Sequence, residues 1–174
     1  MIDDKDQNDV NLLIKFDEDF ERQVSGGGLP YNPRVSLGIQ AGGKSISGSK
    51  KGYTGIYFLD FFGEFLESIE EIRDGNKKII RTGDEPAYIV LEPQDDSVRL
   101  SKCFSKESAK NPNNRLSIEP EAHINKEKII NEVIRASDET LREMRNINNK
   151  IDEYSQIREF ESLLNEVKES KENI

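Results

Sequence analysis

The residues nearest to a recognisable chemistry are Gly38-Ile39-Gln40-Ala41-Gly42-Gly43-Lys44-Ser45, which match the phosphate-loop spacing G-x-x-x-x-G-K-[ST]. In such a loop the glycines let backbone amides close around phosphates, the lysine reaches the β and γ groups, and the hydroxyl binds magnesium. The run Ile56-Tyr57-Phe58-Leu59-Asp60 imitates the apolar segment whose aspartate would hold that metal. The chemistry also needs a helix that opens at the lysine, because its N-terminal amides and dipole hold the anion. After Ser45 the chain is instead rich in glycine, serine and lysine, which is poor helix material. The segment is therefore expected to be a glycine-rich hairpin loop that meets the pattern by coincidence. Gly43, Lys44 and Ser45 stand as the alternative phosphate-binding set, for a nucleotide or another phosphate ligand.

No other set of reactive residues converges. His123 is the only histidine and Cys103 the only cysteine, which excludes a structural zinc site. A triad built around His123 would need Ser or Cys plus an acid placed by the fold alone, and His123 is expected as a solvated residue before a helix. Cys103 follows Lys102 on a predicted strand and reads as a small core residue, since a free cysteine is usually buried. Asp17-Glu18-Asp19 lacks the ligand spacing and glycine of a calcium loop. Lys44, Lys50 and Lys51 with Tyr53 make a small basic-aromatic patch, a weak signal for anions or single strands in an acidic chain. The remaining pattern is a row of carboxylates: Glu64, Glu67, Glu71 and Asp74 share one side of a predicted helix. A solvated helix face explains such a row, and a docking face for a basic partner uses it.

The elements that must position these groups are organised around Ile56 to Asp74. At helical spacing Phe58, Phe61, Phe62, Phe65, Leu66, Ile69 and Ile72 gather on the side opposite the carboxylates, and Gly75 stands where a left-handed cap is expected. Val10 to Phe16 and Val35 to Ile39 alternate as strands, with Phe20 to Val24 as a weaker one between them. Lys77 to Thr82, Ala87 to Glu92 and Val98 to Phe104 form a predicted meander. Three segments, 25–33, 41–55 and 105–115, read as loops from their glycine, proline and polar content. From Glu121 onward neither glycine nor proline occurs, and two apolar stripes, Ile129 to Ile147 and Tyr154 to Val167, predict two helices that break near Asn146, Asn148 and Asn149.

Composition narrows the partners. A chain of 174 residues, 34% hydrophobic and 34% charged, supports one modest core with large solvated faces. Its net charge of −9 argues against nucleic acid as a ligand and favours a basic protein surface. The single cysteine, the acidic opening MIDDKDQND and the absence of any run of membrane length predict a cytoplasmic protein with no membrane contact.

The sequence thus predicts an α+β fold: an antiparallel sheet of about five or six strands, packed by one amphipathic helix (about 56–74) and a C-terminal pair. Residues 1–9 are expected to form an acidic tail, 10–120 the α+β domain, and 121–174 a helical segment packed on it. The functional expectation is a small non-catalytic interaction protein of the inhibitor or immunity-protein kind, without a cofactor. Glu64, Glu67, Glu71 and Asp74 would meet another protein, and the C-terminal helices offer a second association surface.

Overall fold

The computed structural model describes residues 8–47, 52–83 and 85–172. Within these bounds the fold is α+β, with two antiparallel sheets of four strands each rather than one of five or six. Strand β1 (Val10–Lys15) pairs along its whole length with β2 (Arg34–Ala41). The other edge of β2 is shared: β3 (Lys44–Ser45) pairs with its end and β4 (Thr54–Tyr57) with its beginning. Helices then carry the chain away, so the next strands start a second sheet. That sheet is a meander of β5 (Lys78–Arg81), β6 (Tyr88–Gln94), β7 (Ser97–Cys103) and β8 (Glu121–Asn125).

The predicted second strand, Phe20 to Val24, is helical instead: α1 (Glu18–Arg22) runs into a π-turn at Gln23–Gly27. The cause is Asp17, whose carboxylate accepts the Phe20 backbone N–H at 3.0 Å and caps the helix start. Phe20 and Val24, four residues apart, then lie on one buried face.

The organising stretch begins with a strand. Ile56 and Tyr57 pair with Val35 and Arg34, since an aromatic and a β-branched residue suit a ladder. The helical part is α2 (Phe58–Glu67) followed by α3 (Ile69–Arg73), separated at Ser68, whose hydroxyl donates to the Glu64 carbonyl at 2.7 Å. Every apolar residue expected on the inner face is buried, including all four phenylalanines. Each contributes roughly 1.5–3 kcal/mol of burial. Gly75 closes α3 with φ +88° and donates its N–H to the Ile72 carbonyl at 3.1 Å.

The segment 105–115 holds more order than a loop: α4 (Lys106–Lys110) is capped by Ser105 and Ser108 in a reciprocal box, and a 3₁₀ turn spans Pro112–Asn114. Glu121–Asn125, at the beginning of the expected helical segment 121–174, is the strand β8. Its Ala122 and Ile124 point inward while Glu121 and His123 point out, a period of two that the following helical stripe obscured. Two helices follow, α5 (Lys126–Ile147) and α6 (Ser155–Glu172), with the break at Asn148 as expected. The side chain of Asn148 donates to the Val24 carbonyl at 2.9 Å. Ile157, Phe160, Leu164 and Val167 of α6 belong to the same core as α2, and the rings of Phe160 and Phe58 lie 4.9 Å apart. The second stripe is therefore buried within its own chain. Among the described residues no helix is long and apolar enough to cross a membrane.

Candidate functional site

Helix α2 and the end of β5 enclose a cleft of ≈ 380 Å³ lined by Tyr57, Asp60, Phe61, Glu64, Arg81, Thr82 and Gly83. Phe61, directed at the core, forms its floor, and Tyr57 stands at its side, 38% exposed at the junction of β4 and α2. Asp60 and Glu64, one helical turn apart, present carboxylates along one wall. Thr82 is fixed opposite: both its N–H and its hydroxyl bond to the Ala87 carbonyl at 3.0 Å. Gly83 adopts φ +120°, and a Cβ there would lie 3.4 Å from the Tyr57 ring, so glycine both permits the turn and leaves the ring its place.

The electrostatics of this cleft are unbalanced. Asp60, Glu64 and Glu67 have no ion-pair partner among the described residues, and neither has Arg81. Burial, then the neighbouring Glu67 and Asp60, raises the Glu64 carboxyl above its ordinary pKa, only partly offset by Lys78. Of the expected acidic row, all four members are exposed, but they differ in circumstance. Glu71 is tied to Lys78 at 2.5 Å, while Asp74 stands beyond the end of α3. The cleft therefore recruits Glu64 from the row and adds Asp60, which the sequence offered only as the metal-holding aspartate of the phosphate-loop pattern, together with Tyr57 and Arg81, which no sequence pattern singled out. Asp60 belonged to the same helical period, whereas Arg81 and Gly83 come from another element with no sequence signal linking them.

The phosphate-loop pattern folds as a hairpin. Gly42 and Gly43, at φ +56° and +73°, make the two-residue turn between β2 and β3. Lys44 and Ser45 lie exposed on β3, and the Lys44 ammonium donates to the Glu121 carbonyl at 3.4 Å. Gly38 sits within β2, where a Cβ would meet the Tyr53 ring at 3.2 Å. Its glycine is explained by that packing, and no helix opens at Lys44. Lys50 and Lys51 lie outside the described residues.

The remaining candidates serve the framework. Lys102 is 2% exposed on the core side of β7, and its ammonium donates to the Ser47 carbonyl at 2.6 Å and to the Glu85 carboxylate at 3.2 Å. It thereby ties the first sheet's loop to the second sheet. Cys103 is buried, and that burial pushes its thiol pKa up, away from thiolate chemistry. His123 is exposed on β8. On the outer face of the second sheet, Glu92 accepts from Arg99 and Arg115, each at 2.9 Å, and pairs with Lys77 at 3.2 Å. Burial opposes ionisation there, but the hydrogen bonds from these three cations hold its pKa below the usual range. Among the described residues no group of three or more His, Cys, Asp or Glu is placed to hold a metal ion. Comparison of the chain with known protein families, with curated proteins and with solved structures finds no match.

Proposed function

We propose that this protein is a small interaction protein of the inhibitor or immunity-protein kind, which binds a basic protein through the acidic side of α2 and α3. The observation that carries the reading is the set of exposed, unneutralised carboxylates of Asp60, Glu64 and Glu67 beside the exposed ring of Tyr57. Exposed carboxylates of one sign steer a cationic partner, and an aromatic side chain at their edge supplies the apolar anchor that charge alone does not. Glu71 and Asp74 extend the same side toward the end of α3. The reading assigns no catalytic role to any residue.

Recovery of the tagged protein from its native extract, followed by reconstitution with the purified partner, tests the assignment. Replacing Asp60, Glu64 and Glu67 with lysine should lower the association rate at least tenfold and remove most of its salt dependence. The thermal midpoint should stay within a few degrees, because none of the three has an ion-pair partner to lose. Association of the triple variant at the unaltered rate and salt dependence would dispose of the proposal.

A further inference from the structure

The cleft at Tyr57 gathers exposed charges of both signs without pairing them. It carries two carboxylates and one guanidinium, yet no ion pair within 4.0 Å joins Arg81 to Asp60 or Glu64. Elsewhere on these helices opposite charges do close: Arg73 reaches Glu70 at 2.9 Å and Lys78 reaches Glu71 at 2.5 Å. Arg81 is held apart by its place on β5, whose pairing with Tyr88 sets the backbone, and the carboxylates are held apart by α2. The space between them has a buried aromatic floor, Phe61, and a rigid far side at Thr82.

We propose that this cleft binds a small zwitterion, a molecule bearing a primary ammonium and a carboxylate at opposite ends of a short apolar spacer. The ammonium sits between Asp60 and Glu64, against the face of Tyr57, where a ring quadrupole adds to the attraction. The carboxylate meets Arg81, whose planar fork of donors matches two carboxylate oxygens. The spacer lies over Phe61. The raised proton affinity of Glu64, set first by burial and then by Glu67 and Asp60, is compatible with this placement, since a cation beside it offsets these effects. The inference goes beyond the protein-binding proposal: it needs no partner protein, and it shares with it only the carboxylates and ring of the cleft.

The test is a titration of the isotopically labelled full chain, followed by amide chemical shifts. The probes are glycine, β-alanine, γ-aminobutyrate and ε-aminocaproate, with butylamine and butyrate as single-charge controls. The expected result is saturable shifts at Thr82, Gly83 and Phe61, strongest for one spacer length. Butylamine and butyrate should bind at least about tenfold more weakly, equivalent to about 1.4 kcal/mol. Arg81→Gln should abolish the preference over butylamine, and Asp60→Asn with Glu64→Gln the preference over butyrate. The amide spectrum of each variant reports whether it is folded. Absence of saturable shifts for the whole series at about 10 mM, well above a millimolar Kd, would overturn the proposal. So would equal binding of butylamine, which marks a plain cation site. Partner association is measured separately, so either proposal can fail while the other stands.

Discussion

Two glutamates show how burial and neighbours set opposite electrostatic behaviour. Glu92 is surrounded by cations, and its lowered pKa means that the folded state favours the carboxylate. Its contribution to stability is full above the ordinary carboxyl range and fades as pH falls through the lowered folded value. Glu92→Gln should cost up to about 3 kcal/mol at neutral pH, because Arg115, with a side chain only 8% exposed, loses its closest counter-ion. Denaturant unfolding from pH 7 downward would read that cost and its disappearance in acid. Glu64 has the reverse sign. Its raised pKa favours the protonated folded form, an advantage complete below the ordinary range and lost as pH rises through the folded value. Glu64→Gln is therefore expected to raise the thermal midpoint slightly at neutral pH and leave it unchanged in acid. A lower midpoint at neutral pH would show that its carboxylate is structurally required. The phosphate-loop residues illustrate the same dependence on surroundings. Gly43, Lys44 and Ser45 match a chemical pattern, but a hairpin places them where no helix begins.

At the scale of elements, the edge of the first sheet is protected by side chains. On the outward side of β1, the Leu12 N–H donates to the Glu132 carboxylate at 2.8 Å and the Leu12 carbonyl accepts from Arg135, both from α5. The two residues occupy the hydrogen-bonding positions that another strand would take, and an uncovered edge invites pairing between molecules. Glu132→Ala with Arg135→Ala should increase aggregation on heating while lowering stability by only about 1–2 kcal/mol. Light scattering during a thermal ramp separates the two effects. Secondary structure itself was legible wherever one rule acted alone. The Phe58 to Ile72 stripe, the glycine cap at Gly75 and the break at Asn148 all follow from local spacing. Phe20 to Val24 was misread because its apolar spacing suits either element and the decisive cap at Asp17 lies outside it. Glu121–Asn125 was misread because a five-residue strand runs without interruption into a helix of 22 residues.

At the scale of the whole molecule, α6 completes the core that α2 begins. Truncation after Lys150 would remove Phe160 and Leu164 from contact with that core, and the loss of a buried phenylalanine alone costs about 3–5 kcal/mol. The shortened chain is expected to unfold or aggregate. A folded monomer from that truncation, by circular dichroism and light scattering, would contradict the packing described here and restore the C-terminal helices as an association surface. The docking face proposed on the acidic side of α2 belongs to the same scale, because it would require a helix held rigidly from behind. Phe58, Phe62 and Phe160 supply that support.

By itself the sequence determined the α+β class, the inward and outward sides of the organising helix, its glycine cap and the acidic row on its exposed side. These depend on periodicity and on local hydrogen bonds, which neighbouring residues fix together. Only the tertiary structure decided that the strands divide into two sheets, that Lys102 is buried between them, and that Asp60 and Glu64 face Arg81 across a cleft. Those outcomes depend on which distant strands pair and on how α2 packs over β5. The free energies that choose among such pairings come from contacts between segments, and no local pattern carries them.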